Sequence, residues 1–230
     1  FNIKLESSSF QKKVQVTCGS DIIANTGVGM EGIKFFLKRP SLILPQIKYK
    51  IFIAMNPDVP WITPPAIKFL DSILTKDFNI LEYGSGRSTS WLARRCQKLV
   101  SIEGYGPWKE IVDKKLQKFG ITNVDYRFID ASEEHSGGPD QAEMLREGNI
   151  PAYAAVINEF PDQHFDLVTV DGSYRMICVK VALDKIKSKG HLMIDNSNWM
   201  KIEDWGVPAD WTIVHRSNIK VGETTLWQKP

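Results

Sequence analysis

Short runs of apolar residues recur along the chain from residue 79 onward, and stretches with helical spacing lie between most of them. A continuous apolar run bounded by turn residues is typical of a strand buried on both faces of a sheet. Five such runs and two more near the end of the chain predict strands at 79–82, 99–103, 124–129, 165–170, 191–194, 211–216 and 223–228. Helical spacing predicts helices at 65–75, 89–96, 141–147 and 153–160. This alternation predicts an α/β fold with a mostly parallel sheet.

A glycine-rich turn follows the first strand in the segment LEYGSGRST, residues 81–89. Glycines one residue apart permit a tight turn and close approach of a ligand, and the helix start presents free N–H groups. A dinucleotide site wants a third small residue where this chain has Thr89, and Glu82 would repel a pyrophosphate. A P-loop is excluded because no Gly-Lys-Ser/Thr follows. The turn therefore favours a nucleotide-like ligand with positive charge, the alternative being a glycine turn without a ligand.

An acidic residue ends each of the five strands predicted to be parallel. These acids are Glu82, Glu103, Asp130, Asp171 and Asp195. Because the carboxyl ends of parallel strands meet at one edge of a sheet, we expect the five acids to line a common site. Glu103 follows Glu82 by 21 positions (103 − 82), which is where a carboxylate typically binds vicinal ribose hydroxyls.

The segment from about residue 61 to residue 199 resembles class I S-adenosylmethionine-dependent methyltransferases. LEYGSGRST is similar to their glycine-rich first motif, VSIEG (100–104) to the second, YRFIDAS (126–132) to the third and FDLVTVDG (165–172) to the fourth. KSKGHLMIDN (187–196) resembles the fifth-strand motif. The resemblance implies a Rossmann-like, seven-stranded, mostly parallel sheet flanked by helices, with an antiparallel hairpin at its edge.

The resemblance also implies where the cofactor binds. Gly84 and Gly86 would contact its methionyl part, Glu82 its ammonium group and Glu103 its ribose, while Asp130 and Ala131 would border the adenine. The full implied cofactor set is Glu82, Gly84, Ser85, Gly86, Ser88, Glu103, Gly104, Asp130, Ala131 and Asp171. Since the cofactor carries a sulfonium and an ammonium and no phosphate, acids at this edge would attract it.

Asp171, Asp195 and Asn196 are similar to the three residues that hold Mg²⁺ in catechol-type O-methyltransferases. Two carboxylates and an amide oxygen suit this cation, which would lower the pKa of a bound hydroxyl and orient it. We therefore expect Asp171 to be catalytic and the three residues to be metal ligands, the alternative being cofactor contact and loop capping only. The catechol-type enzymes have a lysine where this chain has Tyr174, so the sequence does not identify the general base. His135 is a weaker candidate for the base.

The composition of the chain limits the classes of partner that we expect it to bind. A net charge of +2 and the lack of a lysine and arginine run predict no nucleic-acid partner, and the apolar runs are too short to span a membrane. Three cysteines without metal-like spacing predict a reducing, cytoplasmic location. Residues 61–230 would form the methyltransferase domain. Residues 1–60 would form a partly helical, irregular extension that is a lid or a homodimer surface, with docking on a membrane surface as the less favoured alternative.

The sequence thus predicts a methyltransferase that acts on a small molecule at oxygen with Mg²⁺ assistance. Two alternatives stay open. The first is a non-catalytic protein of the same fold that binds the adenosyl cofactor or acts as an assembly partner. The second, a nicotinamide dehydrogenase, is disfavoured by Thr89 and Glu82.

Overall fold

The computed structural model describes residues 38–135 and 140–230. Their helices are α1 (Ile43–Met55), α2 (Pro64–Ile73), α3 (Arg87–Ala93), α4 (Gly106–Lys118), α5 (Ser132–His135), α6 (Gln141–Glu147), α7 (Ala152–Ala155) and α8 (Arg175–Ala182). The strands are β1 (Asn79–Tyr83), β2 (Lys98–Glu103), β3 (Val124–Phe128), β4 (Phe165–Val170), β5 (Ile186–Asp195), β6 (Thr212–Asn218) and β7 (Glu223–Gln228). Short 3₁₀ turns cover Pro40–Leu42, Val156–Glu159, Ser197–Trp199 and Ile202–Trp205.

All seven strands form one sheet in the order β3-β2-β1-β4-β5-β7-β6. Strands β1 to β5 are parallel, whereas β7 runs antiparallel to β5 and to β6. The chain reverses its direction of winding between β3 and β4, so β1 and β4 lie side by side at the centre. Crevices at such a reversal, beyond the carboxyl ends of the strands, are where open α/β sheets bind ligands. The predicted Rossmann-like sheet and its hairpin edge are confirmed.

Two apolar clusters cover the two faces of the sheet, and side chains that alternate along each strand enter different clusters. Ile80 packs with α2 and α3, while its neighbour Leu81 packs with α7 and α8. The central strands are buried on both faces, which explains why their sequences are continuous apolar runs rather than alternating ones.

Of the predicted N-terminal extension, the structure describes residues 38–60, where α1 is the main element, and the rest lies outside the described residues. None of the helices among the described residues has the length and apolar character needed to cross a membrane. Cys96 and Cys178 are buried free thiols, and Cys18 is not among the described residues.

Candidate functional site

The first turn of the site, between β1 and α3, is built on direct contact between two backbones. Gly84 has φ +91°, a region that L side chains rarely adopt, and a Cβ there would lie 2.6 Å from the Cα and N of Gly172. Gly172 belongs to the turn after β4. The two turns therefore press against each other, and Gly84 is required by the fold itself.

Gly86, in contrast, has free space around it. Its φ of 172° is ordinary extended backbone, and the nearest atom to an added Cβ would be Trp108 Nε1 at 3.7 Å. The Trp108 indole donates to the carbonyl of Ser85 at 2.7 Å and so fixes the outer side of the turn. No close neighbour among the described residues requires a glycine at position 86, which leaves room for a ligand beside the backbone.

Glu82, at the end of β1, is buried with an exposed fraction of 1%. Its Oε2 accepts hydrogen bonds from Ser101 Oγ at 2.6 Å and Thr89 Oγ1 at 2.7 Å. Burial raises the pKa of Glu82 to about 7, against the hydrogen bonds from Ser101 and Thr89, which lower it. Its Oε1 is buried without a hydrogen-bond partner among the described residues. An unpaired buried carboxylate oxygen is costly, so Glu82 can accept a donor from a ligand.

Glu103, at the end of β2, is also buried, and both of its carboxylate oxygens accept hydrogen bonds. Oε1 accepts from the backbone N–H groups of Gly104 and Tyr105 at 2.9 and 2.8 Å, and Oε2 accepts from the Ser85 hydroxyl at 2.5 Å and its N–H at 3.2 Å. Burial raises the pKa of this carboxyl, while these bonds lower it. Ser85 thus joins the turn to Glu103, and a hydroxyl-bearing ligand would have to replace the Ser85 hydroxyl at Oε2.

The residues predicted to border an adenine lie beyond β3. Ala131 is buried, and its N–H donates to the carbonyl of Gly104 at 3.1 Å. Gly104 must stay small because a Cβ there would lie 2.8 Å from that of Ala131. Asp130 is exposed, binds the N–H of Ser132 at 2.9 Å and lines a cavity of about 380 Å³ together with Tyr153.

A larger cavity of about 530 Å³ lies elsewhere, at the amino ends of the strands. Asn79, Lys98 and Asp125 are among its lining residues. None of the five acids at strand ends lines it. We assign the site to the carboxyl ends of the strands because the acids, both glycine turns and the smaller cavity lie there.

Arg175 connects the ends of β4 and β5. Its guanidinium donates to the Asp171 carboxylate at 2.8 Å and to the backbone carbonyls of Asp171, Gly172 and Asp195 at 2.7, 2.9 and 2.6 Å. It also lies 3.4 Å from Asn196 Oδ1 and 4.3 Å from the ring centre of Trp199. Arg175 itself is buried, with an exposed fraction of 6%. Asp171 is more open than Glu82, Glu103 and Asp195, since a third of its side chain (34%) is exposed.

The three residues predicted to bind Mg²⁺ lie close together, but the guanidinium of Arg175 lies among them. A guanidinium beside them would repel a divalent cation. The Asp195 carboxylate is directed toward β7, where Thr224 Oγ1 donates to its Oδ1 at 2.6 Å. Burial and, second to it, the charge of the nearby Asp171 raise the pKa of Asp195, which disfavours the ionised form of this carboxyl. Among residues 38–135 and 140–230 no three His, Cys, Asp or Glu side chains form a metal-binding group. These residues do not fit a Mg²⁺ site.

Two parts of the site could be judged from the sequence only incompletely. Arg175 stands four places after Asp171, and that spacing on a helix start was the only signal for the ion pair. Ser101 and Thr89 donate their hydroxyls to Glu82, and nothing in the sequence distinguished them from other hydroxyl residues. The side chain of His135, the weaker candidate for a base, lies outside the described residues.

Comparisons with known proteins identify the fold. No family model matches the chain, and no curated protein is significantly similar to it. An rRNA methylase structure from Streptococcus thermophilus aligns with a TM-score of 0.52 and 11% identity, covering 70% of this chain and 92% of that one. A candidate methyltransferase from Streptococcus mutans, in complex with S-adenosylhomocysteine, aligns with a TM-score of 0.51 and 14% identity over 73% and 98%. A candidate rRNA methylase from Clostridium thermocellum gives 0.51 and 11% over 71% and 94%. The chain has the class I methyltransferase fold.

One prediction from composition is corrected by these comparisons. The modest net charge and the lack of a basic run predict no nucleic-acid partner and leave a small-molecule acceptor. That exclusion is wrong, because proteins described as rRNA methylases share this fold. Phosphate contacts can come from basic residues that are scattered in the sequence and gathered by the fold, which a search for runs does not detect.

Proposed function

We propose that this chain is an S-adenosylmethionine-dependent methyltransferase. The observation that carries the proposal is the pair of buried acids, Glu82 and Glu103, on either side of the turn at Gly84–Gly86. A cofactor with a sulfonium, an ammonium and vicinal hydroxyls suits such a turn, whereas a pyrophosphate would be repelled. The fold shared with a methyltransferase that binds S-adenosylhomocysteine supports the same conclusion.

In this proposal each acid has a separate task. The unpaired Oε1 of Glu82 accepts a hydrogen bond from the ammonium group, and the bound positive charge keeps Glu82 ionised. The ribose hydroxyls take over the place of the Ser85 hydroxyl on Glu103, since both are O–H donors to a carboxylate. The open position beside Gly86 admits the methionyl part.

The acceptor would lie near Asp171, whose side chain is the most open of the acids that flank β1 and β4. Methyl transfer requires the acceptor atom in line with the sulfonium carbon, and such positioning can supply on the order of 7–11 kcal/mol of the barrier reduction. We assign Asp171 to this positioning, with Arg175 holding its carboxylate. A small molecule methylated at oxygen stays a prediction for the acceptor, and ribosomal RNA is the other class to assay.

The first test is cofactor binding measured by isothermal titration with S-adenosylhomocysteine. We expect Glu103→Ala to weaken binding by about 1–3 kcal/mol, roughly 5- to 150-fold in Kd, because charge-assisted hydrogen bonds are lost. Glu103→Gln keeps the shape and should weaken binding in the same direction. Ser85→Ala is the matched control, since it removes the hydroxyl that the ribose displaces but leaves the Glu103 carboxylate, so binding should stay within about 1 kcal/mol of the wild type and should not weaken. Binding of NAD instead, unaffected by Glu103→Ala, would refute the proposal.

The second test concerns the metal. We expect EDTA to leave cofactor binding and methyl transfer unchanged, and Mg²⁺ to cause no shift in the melting temperature, because Arg175 holds the groups that would bind it. Thermal unfolding with and without Mg²⁺ needs no acceptor and can be done first. A stabilisation by Mg²⁺ that disappears in Asp195→Asn would show that the metal binds here after all.

A non-catalytic role has one observation in its favour, namely that Arg175 already pairs with the Asp171 carboxylate. An assay for transfer of a labelled methyl group to extracts of small molecules or to ribosomal RNA distinguishes the enzyme from the non-catalytic protein. Cofactor binding with no transfer to either class would favour the non-catalytic protein.

A further inference from the structure

Helix α1 exposes a continuous apolar surface. Five of the eleven exposed large hydrophobic residues of the described chain lie on this one helix, and the other six are distributed over other elements. The five, which we call the α1 face, are Ile43, Leu44, Ile47, Ile51 and Met55, with exposed fractions of 39, 59, 48, 53 and 76%. Single exposed hydrophobic residues need no explanation, but a group on one helix marks a contact surface.

The arrangement around the helix axis is regular. With 3.6 residues per turn, the α1 face spans an arc of about 120°, and Lys48 and Lys50 lie just beyond its two borders. Both lysines are exposed. An apolar arc bordered by lysines on each side suits a surface that is anionic at its boundary and apolar beneath it.

The opposite side of α1 attaches the helix to the domain. Ile53 is buried, and Phe52 packs on the cluster formed with α2 and α3. Tyr49 donates its hydroxyl to the carbonyl of Ile62, and Arg87 donates to the carbonyl of Ile53, both at 3.3 Å. The core thus fixes the orientation in which the α1 face is directed outward.

Charge distinguishes between the candidates that could cover this face. From Lys38 to Asn56 the sequence contains four basic residues and no acidic one. A second copy would bring the same lysines against each other. Residues 1–37 carry four lysines and three acids, so they supply no excess of negative charge. Nucleic acid would pair with the lysines but leave the apolar arc without a partner. An anionic lipid surface satisfies both, because its phosphates attract lysine and its acyl chains accept apolar side chains.

We propose that α1 docks the protein in the plane of an anionic lipid bilayer. The α1 face enters the boundary between headgroups and acyl chains, and Lys48 and Lys50 reach the lipid phosphates at its borders. The helix has 13 residues and a length of about 20 Å, too short to cross a hydrocarbon core of about 30 Å, so it lies flat on the surface. Since Arg87 starts α3 directly after the glycine turn, docking would bring that turn close to the membrane.

Co-sedimentation of the full chain with vesicles tests this proposal. We expect binding to vesicles that contain phosphatidylglycerol, little binding to pure phosphatidylcholine, and weaker binding as NaCl is raised. Leu44→Ser with Ile51→Ser, and separately Lys48→Glu with Lys50→Glu, should each weaken binding roughly tenfold or more. All four side chains are exposed, so the fold should persist, which circular dichroism can verify.

Two matched double variants on other elements serve as controls. Ile111→Ser with Ile213→Ser removes two exposed apolar side chains, and Lys114→Glu with Lys118→Glu reverses two exposed charges on α4. Both should bind vesicles like the wild type. The proposal is overturned if phosphatidylglycerol vesicles do not bind the protein, or if the controls weaken binding as much as the α1 variants. A dimer in sedimentation equilibrium that Leu44→Ser with Ile51→Ser dissociates, without vesicle binding, would assign the face to a second copy.

Discussion

Replacing Arg175 by alanine should lower the free energy of unfolding by about 3–5 kcal/mol, a large fraction of the stability of a domain. The buried guanidinium holds the carbonyls of Asp171, Gly172 and Asp195 and the Asp171 carboxylate, and alanine leaves these acceptors without their donor. Urea unfolding followed by circular dichroism measures the loss. For a chain of this size it corresponds to roughly 2–4 °C of melting temperature per kcal/mol.

Two variants distinguish the effect of the several guanidinium hydrogen bonds on stability from the effect of the positive charge alone. Arg175→Lys keeps the positive charge but cannot reach several acceptors at once, so it should recover only part of the lost stability. Arg216→Ala breaks the ion pair with the buried Glu223, but that carboxylate keeps hydrogen bonds from Ser197 and Asn218, so the loss should be smaller than for Arg175→Ala. If Arg175→Ala were no more damaging than Arg216→Ala, Arg175 would not be what holds the ends of β4 and β5 together.

Most of the sheet could be predicted from the sequence because its central strands are buried on both faces. The predicted strand at 165–170 agrees with β4, and 223–228 agrees with β7. Strand β5, however, begins at Ile186, five residues before its predicted start at 191. Its first part is polar, with Lys187, Ser188 and Lys189, and a register shift against β4 separates it from the buried part. Polar residues at the end of a strand look like a loop when only the apolar run is used as the signal.

The position of the site could be predicted from the sequence, but the hydrogen-bond partners of its acids could not. Parallel strands that end in acids must bring those acids to one edge, so their convergence follows from the fold class. Their partners do not, because they come from distant parts of the chain. Thr224 reaches Asp195 from 29 residues away, and Arg175 reaches the Asp195 carbonyl from 20 residues away. These contacts depend on side-chain direction across neighbouring strands. They decide that the predicted metal ligands surround a guanidinium.

The two glycines of the first turn should respond in opposite ways to the same substitution. Gly84→Ala places a Cβ 2.6 Å from the backbone of Gly172 at a φ of +91°, and should cost about 2–5 kcal/mol of unfolding free energy from overlap and backbone strain. Gly86→Ala meets only ordinary contacts and should change stability by less than about 1 kcal/mol, even toward stabilisation. Thermal unfolding of the two variants measures this difference.

Cofactor binding then tests why residue 86 is a glycine. If the methionyl part of the cofactor lies against this turn, Gly86→Ala should reduce the affinity for S-adenosylhomocysteine by at least roughly tenfold, about 1.4 kcal/mol, in a protein that remains folded. Because the described structure around Gly86 tolerates a Cβ, loss of affinity without loss of stability can be attributed to the ligand. Unchanged affinity in Gly86→Ala would place the cofactor away from this turn, and Glu82 and Glu103 would then be acids of the fold rather than of the site.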